Sequence, residues 1–86
     1  MKIEFASSSK KQLEKIKKAH NEIAEKIVVK IMDYADNPQG SHNVEKIKKD
    51  KSNYRLRVGD YRIRFYLKDN IMYITSIKHR QGAYND

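Results

Sequence analysis

The sequence predicts an α+β fold: a single compact domain over residues 1–86, in the order β-α-α-β-β-β, with a helical hairpin on one face of an antiparallel sheet and a basic face left open. Apolar and cationic residues alternate between Tyr54 and Phe65 on both sides of a Gly-Asp pair, which is typical of a half-buried β-hairpin. Apolar residues also recur at spacings of three and four between Ile23 and Ala35, which is typical of a helix packed on a core.

The two predicted helices form a hairpin over residues 7–36. Ser9, followed by Gln12 three residues later, predicts a capping box that opens the first helix. Asn21 is the predicted N-cap of the second helix, after a bend in the chain. Pro38 ends the second helix, because the residue before a proline avoids the helical region of backbone angles.

Alternating residues predict a first strand over residues 2–6 and a last strand over residues 71–78. Between the helices and the hairpin, residues 39–53 predict a polar surface connection, with a short strand or turn that buries Ile47. This connection contains a cluster of lysines: Lys46, Lys48, Lys49 and Lys51. Their spacing fits a solvated loop and the edge of an anion site equally well.

The predicted hairpin brings like charges together. A two-residue Gly-Asp turn pairs Arg57 with Arg62 and Arg55 with Arg64. Like charges directly opposite one another destabilise a sheet, by about 0.2–1 kcal/mol per pair. Lys–Glu or threonine pairs would keep an outer face soluble without this repulsion. We therefore favour an anion-binding site over a merely solubilising surface.

The register of the last strand decides which side chains extend the cationic face. With a two-residue turn before this strand, they are Thr75, Ile77 and His79. With a three-residue turn or a bulge, they are Ser76, Lys78 and Arg80. A slip of one residue moves every side chain to the other face of a sheet, and the sequence leaves both registers open.

The charge of the chain favours a polyanionic partner. The net charge is +8, and residues 45–86 carry most of it, with 11 of the 19 cationic and 5 of the 11 acidic side chains. Without tryptophan or a strongly basic amphipathic helix, the chain suits nucleic acid or an acidic protein better than a membrane. It has no cysteine, no apolar run of about 18 residues and no signal-peptide pattern, so a cytoplasmic location is expected.

Metal and cofactor chemistry is not predicted. His20, His42 and His79 are scattered along the chain, with no spacing typical of metal ligands and no cysteine partner. There is also no glycine-rich phosphate loop and no signal of a nucleophile–histidine–aspartate set. We therefore expect the protein to act without a metal ion or a cofactor.

The basic residues suit the chemistry of RNA cleavage. Guanidinium groups bind phosphate in a bidentate manner and stay charged, so the four hairpin arginines with His79 and Arg80 could stabilise a pentacoordinate phosphorane. RNA supplies its own nucleophile, the 2′-hydroxyl, so an enzyme needs only a base, an acid and charge stabilisation. Nearby arginines would lower the pKa of Tyr84 and make it a feasible base. The alternative is that Tyr84 only packs its ring on the sheet edge, and chemistry alone favours that alternative.

Two segments resemble a known family. The run Tyr54-Arg55-Leu56-Arg57-Val58-Gly59-Asp60-Tyr61-Arg62-Ile63-Arg64-Phe65, followed by His79-Arg80-Gln81-Gly82-Ala83-Tyr84, is similar to motifs of the RelE/ParE superfamily of bacterial and archaeal toxins. The resemblance covers essentially the whole chain, and the family fold is a compact β-α-α-β-β-β domain. It implies a toxin that is neutralised by a cognate antitoxin, with which it can form a hetero-oligomer.

The resemblance leaves two activities open. RelE-like members are endoribonucleases that cleave mRNA, usually on the translating ribosome, by attack of the 2′-hydroxyl. ParE-like members inhibit DNA gyrase and are not enzymes. A terminal tyrosine at the place of Tyr84 favours the ribonuclease, whereas the shared hairpin motif fits both. A family member that only binds its target is a third alternative.

The resemblance also implies roles for single residues. Arg55, Arg57 and Arg62 correspond to basic residues that contact and stabilise the scissile phosphate, and Arg64 belongs to the same cluster. Arg80 corresponds to an arginine proposed as general acid or transition-state stabiliser. The remaining correspondences are His79, where related toxins carry a lysine or histidine, and Tyr84, where a tyrosine serves as base.

Overall fold

The computed structural model describes residues 1–47 and 53–80, in which two helices pack on one face of a five-stranded sheet. The elements in chain order are β1 (Lys2–Phe5), α1 (Ser7–Ala19), α2 (Asn21–Asp36), β2 (Val44–Lys46), β3 (Asn53–Val58), β4 (Tyr61–Lys68) and β5 (Ile71–His79). The strands lie in the order β1-β5-β4-β3-β2. The predicted α+β class and the helical hairpin are therefore confirmed.

The sheet is mixed, whereas the sequence analysis predicted an antiparallel one. β1 runs parallel to β5, with Ile3 opposite Met72, while the other neighbouring strands are antiparallel. Parallel strands need a long crossover, and here both helices and three strands separate β1 from β5 in the chain. β2 adds a short edge strand beside β3, where a strand or a turn was expected. Ile47, which follows β2, is half-buried.

The core lies between the helical hairpin and the sheet. Its fully buried large side chains are Ile27, Ile31, Ile63, Phe65, Met72, Ile74 and Ile77. Phe65 meets the ring of Tyr34 edge-on, with centroids 5.0 Å apart, and stacks on the ring of Tyr54 at 5.4 Å. Burial, and then the neighbouring Tyr54, raises the pKa of Tyr34, so this phenol stays neutral at pH 7.

Helix α1 begins differently from the predicted capping box. Ala6 is the N-cap residue, with an extended backbone and no side-chain cap. Ser9 lies inside the first turn, fully buried, and its hydroxyl is 2.8 Å from the carbonyl oxygens of both Ala6 and Ile74. The side-chain oxygen of Gln12 accepts a hydrogen bond of 2.7 Å from the backbone N–H of Ile77. Both side chains therefore hold the helix to β5: Ser9 at Ile74, where β1 ends, and Gln12 at Ile77, beyond the last residue of β1.

Helix α2 begins at Asn21 itself, with His20 as the N-cap residue, so the predicted cap is one residue too late. The Asn21 amide instead donates to the Glu25 side chain at 3.3 Å. The helix ends at Asp36, two residues before Pro38, as the sequence predicts.

A β-bulge in β5 decides the register that the sequence left open. The turn before β5 has two residues, Asp69 and Asn70, both with positive φ (53° and 60°), which is the conformation of a type I′ turn. The pairing nevertheless shifts farther along, because Arg64 pairs with Ser76 while Phe65 pairs with Ile74. Thr75 is the extra residue of the bulge.

Burial of apolar side chains explains the bulge. Met72, Ile74 and Ile77 are at most 2% exposed, and the last two are three residues apart rather than two. An inserted residue lets all three reach the core, at the cost of one interrupted pair in the ladder. The Thr75 hydroxyl donates to the carbonyl oxygen of Arg64 at 3.2 Å and partly compensates that cost. Ser76 and Lys78 therefore lie on the arginine side of the sheet.

Replacing Gln12 with leucine is expected to lower the free energy of unfolding by about 1–3 kcal/mol, because the N–H of Ile77 loses its acceptor. Gln12→Glu keeps an oxygen acceptor and should retain most of the stability. Urea denaturation measures both changes, with the exposed Gln39→Leu as the matched control. Equal stability of the Gln12→Leu and Gln39→Leu proteins would contradict this role.

Candidate functional site

The sheet face opposite the helices carries cationic side chains in register across three strands. Arg57, Arg62 and Lys78 form one row on β3, β4 and β5. Arg55 and Arg64 pair in the next row, so both predicted Arg–Arg pairs are confirmed. We call these five residues the arginine face. Directly opposite side chains have Cβ atoms about 4.5–5.5 Å apart, so their charges repel one another unless an anion lies between them.

A single carboxylate on β2 partly neutralises the edge of the arginine face. Oxygens of Glu45 lie 3.8 Å from Nη1 of Arg55 and 3.6 Å from Nη1 of Arg57. Because 54% of the Glu45 side chain is exposed, each ion pair contributes at most about 1 kcal/mol. Among the described residues, neither Arg62 nor Arg64 forms an ion pair, so the centre of the face keeps its full positive charge.

Arg62 is the arginine of this face that has a buried donor without an acceptor among the residues that the structure describes. Its Nη1 atom is buried and has no hydrogen-bond partner within residues 1–47 and 53–80. A buried charged donor without an acceptor costs free energy, and an anion oxygen would remove that cost. Its strand neighbours are cationic, with Arg57 on one side and Lys78 on the other. The position therefore suits a phosphate group held between two strands.

Arg80 lies beside the tip of the β3–β4 hairpin. β5 ends at His79, and the backbone N–H of Arg80 donates to the carbonyl oxygen of Asp60 in the hairpin turn. Arg80 is exposed and follows Lys78 by two residues, a distance of about 7 Å along an antiparallel strand. The structure thus brings Arg80 one row beyond Lys78, next to the hairpin turn.

His79 lies on the other side of the sheet from the arginine face. It pairs with Tyr61, and the two rings meet edge-to-face with centroids 5.2 Å apart. Both residues line a groove of about 360 Å³ together with His20 and Ile23 from the helical hairpin. The bulge explains this position, because it brings Lys78 and not His79 opposite Arg62. The structure therefore does not bring His79 together with the arginines, contrary to the expected phosphate contact.

Two other predicted parts of the site have different outcomes. Tyr84 and the lysines at positions 48, 49 and 51 lie outside the described residues. Lys46 is described and pairs with Tyr54, whose ring packs against the core, so Lys46 does not extend the arginine face. Glu45 was missed, because residues 39–53 were predicted as a polar surface connection whose short strand or turn was expected to bury Ile47. Val44, Glu45 and Lys46 do not alternate between apolar and polar residues, so no clear signal in the sequence marks this short edge strand.

A pair of tyrosines on the open side of the sheet was also missed. Tyr66 follows Phe65 on β4 and pairs with Tyr73 on β5, and the rings stack with centroids 4.8 Å apart and planes at 16°. Partial burial, followed by the Glu4 carboxylate, raises the pKa of Tyr73. This phenol is therefore neutral at pH 7 and unsuited to act as a base. The signal in the sequence was that each tyrosine stands between two apolar residues of a strand, which places it on the opposite face from them.

Within the described ranges, no cluster of three or more histidine, cysteine or acidic side chains could hold a metal ion. No helix in the same ranges is long and apolar enough to cross a membrane.

Comparison with solved structures gives close fold matches over nearly the whole chain. The YoeB dimer from Staphylococcus aureus has 20% identity and a TM-score of 0.78, covering 92% of this chain and 95% of that chain. The YoeB/ParE toxin from Agrobacterium tumefaciens has 18% identity and a TM-score of 0.79, with coverages of 92% and 98%. A chain of the RelB-RelE antitoxin-toxin complex from Methanococcus jannaschii has 25% identity and a TM-score of 0.75, with both coverages at 94%.

Sequence comparison identifies the family. No curated protein sequence matches the chain significantly. The family model of the ParE toxin of the type II toxin-antitoxin system parDE matches residues 3–84, almost the full length. The fold matches described above agree with the RelE/ParE superfamily that the hairpin motif implied. The chain therefore belongs to the ParE toxin family, within the RelE/ParE superfamily of toxins of toxin–antitoxin systems.

Proposed function

We propose that this toxin is a metal-independent endoribonuclease that cleaves mRNA, with the ribosome presenting the substrate. The observation that carries the proposal is the buried Nη1 of Arg62, which lacks an acceptor and lies between the cationic residues Arg57 and Lys78. A scissile phosphate bound there would give Arg62 its missing acceptor. Negative charge that develops on the non-bridging oxygens would lie against preorganised guanidinium groups.

The proposed reaction needs no outside nucleophile. The 2′-hydroxyl of the substrate loses its proton to the phenolate of Tyr84, and its oxygen bonds to the adjacent phosphorus. The bond from phosphorus to the 5′-oxygen of the next nucleotide then breaks, and that oxygen takes up a proton. The products carry a 2′,3′-cyclic phosphate and a 5′-hydroxyl. Arg62 stabilises the phosphorane, with Arg55, Arg57 and Arg64 binding neighbouring phosphates.

Arg80 is proposed to stabilise the leaving 5′-oxygen at the hairpin tip. An arginine side chain does not give up its proton in a protein, so Arg80 acts through its charge and hydrogen bonds rather than as a general acid. Its backbone bond to Asp60 fixes the chain where β5 ends, next to the row of Arg62 and Lys78. The leaving oxygen then takes its proton from water, or from the hydroxyl group of Tyr84 that forms when this residue accepts the proton of the 2′-hydroxyl.

The proposed partners follow from charge and from the related structures. Solved relatives include a YoeB-YefM complex from Staphylococcus aureus and a DinJ-YafQ complex from E. coli. We propose that a cognate antitoxin binds this toxin in the cytoplasm and covers the arginine face with acidic side chains. With a net charge of +8, the free toxin would otherwise bind polyanions without discrimination.

Primer extension on an mRNA translated in vitro tests the proposal. Purified toxin should produce discrete cuts within the reading frame, and the cuts should be lost with Arg80→Ala and with Tyr84→Phe. Lys46→Ala, which changes a cation on the helix side of the sheet, serves as the matched control and should cleave normally.

Inhibition of DNA gyrase is the second candidate function. It is favoured by the family model, which describes a ParE toxin. Such an inhibitor would block supercoiling by gyrase at toxin concentrations that leave translated mRNA intact. That combination of results would overturn the ribonuclease proposal.

A further inference from the structure

The stacked tyrosine pair lies between two rows that contain cations on the open side of the sheet. The register places Asn53, Tyr66, Tyr73 and Glu4 in one row across four strands. The neighbouring row toward the site contains Arg55 and Arg64. The row beyond the tyrosines contains Lys68, Ile71 and Lys2, and Lys2 forms an ion pair of 3.7 Å with Glu4. Rows are two residues apart, about 7 Å, so the path from Arg62 to Lys68 is about 20 Å long.

The order of side chains along this path is cation, aromatic, cation. A cross-strand aromatic pair stabilises a sheet by about 0.2–1 kcal/mol, and that contribution alone would need no flanking charges. Proteins that bind single-stranded nucleic acid combine a basic groove for the backbone with aromatic rings on which bases stack. The rows around Tyr66 and Tyr73 have this composition.

We propose that Tyr66, backed by Tyr73, is a stacking platform for a base of the single-stranded RNA bound by the arginine face, a role that rests on the proposed ribonuclease function. Because the two rings stack on each other, each has one outer surface left. The outer surface of Tyr66 is toward Asn53, a neutral amide that can hydrogen-bond to a base edge. The outer surface of Tyr73 is toward the carboxylate of Glu4, which repels phosphate.

The platform therefore accepts a base on the Tyr66 side of the tyrosine pair, at a fixed distance from the scissile phosphate. The stacked nucleotide lies about two rows, or 14 Å, from the phosphate at Arg62, so it is a neighbour of the scissile bond and not part of it. The phosphate next to the stacked base falls between Arg55 and Arg64. The stacked base contributes affinity and selects for unpaired RNA, since both faces of a base inside a duplex are covered by the neighbouring base pairs.

Fluorescence anisotropy with a short 2′-O-methyl oligoribonucleotide, which cannot be cleaved, tests the platform over a range of salt concentrations. Tyr66→Leu should weaken binding by about 5- to 150-fold, the range found for loss of one base–aromatic stack. It should leave the slope of log affinity against log salt unchanged. Arg64→Gln should make the slope shallower by about 0.7, because one phosphate contact is lost. Tyr66→Phe, which keeps the ring, should bind like the unmodified protein.

An oligonucleotide of the same length and charge with abasic sites provides the decisive comparison. The unmodified protein should bind it as weakly as Tyr66→Leu binds the normal strand, and Tyr66→Leu should show no further loss. Equal affinity of the unmodified protein for both strands, with a salt-dependent slope retained, would overturn the platform alone. Affinity without salt dependence for either strand would overturn the arginine face as an RNA site, and the proposed function with it.

Discussion

Replacing Arg62 with lysine is expected to lower the rate of mRNA cleavage by about 100-fold or more, the loss typical of removing one donor that stabilises a developing oxyanion. Lysine keeps the positive charge, so this variant isolates the geometry of the guanidinium group. Arg62 offers two parallel N–H groups to a phosphate, whereas an ammonium group acts as a point charge on a flexible chain. The measurement is the rate of cleavage at a mapped site during translation in vitro.

The stability of the same variant separates catalysis from folding. Nη1 of Arg62 is buried without an acceptor in the described part of the chain, so its removal should not lower the free energy of unfolding. Urea denaturation of Arg62→Lys should therefore match or exceed the stability of the unmodified toxin. Cleavage at the normal rate by a folded Arg62→Lys protein would exclude Arg62 from the centre of the site.

Replacing Phe65 with alanine is expected to lower the free energy of unfolding by about 3–5 kcal/mol. Phe65 is 0% exposed and contacts the rings of both Tyr34 and Tyr54, so the neighbouring aromatic side chains cannot easily close the cavity. Native proteins are typically stable by about 5–15 kcal/mol, so this variant should lose a large share of its stability and unfold at a clearly lower temperature.

Thermal and urea denaturation measure the Phe65 effect, and Tyr66→Phe is the neighbouring control on the open side of the sheet. That control should change the free energy of unfolding by less than about 0.5 kcal/mol, as is usual for surface substitutions. A loss below about 1 kcal/mol for Phe65→Ala would contradict the central position of this ring. Such a result would also weaken the assignment of the two faces of β4, because Phe65 and Arg64 alternate on it.

The hairpin was the part of the fold most fully predicted from the sequence. Its period of two and its Gly-Asp turn fix the pairing locally, so the pairs Arg55–Arg64 and Arg57–Arg62 needed no tertiary information. The direction of β1 could not be predicted in the same way. A strand of four residues has no turn that joins it to β5, and its alternation is the same in parallel and antiparallel sheets.

The bulge was predictable in principle. Ile74 and Ile77 are three positions apart rather than two or four, and both can be buried on one face of a strand only if the strand contains an extra residue between them. Applying that condition would have selected Ser76 and Lys78 for the arginine side and excluded His79. The anchoring role of Ser9 was not predictable, because its acceptor on Ile74 is 65 residues away and the local pattern resembles a helix cap.

The central claim is that the arginine face promotes attack of the 2′-hydroxyl on a phosphate held at Arg62. The most direct measurement compares cleavage, during translation, of an mRNA and of the same mRNA with a single 2′-deoxynucleotide on the 5′ side of a mapped cut. The account predicts that this cut disappears, that other cuts persist, and that the products of the normal mRNA end in a 2′,3′-cyclic phosphate. Cleavage that continues at the 2′-deoxy position would contradict it.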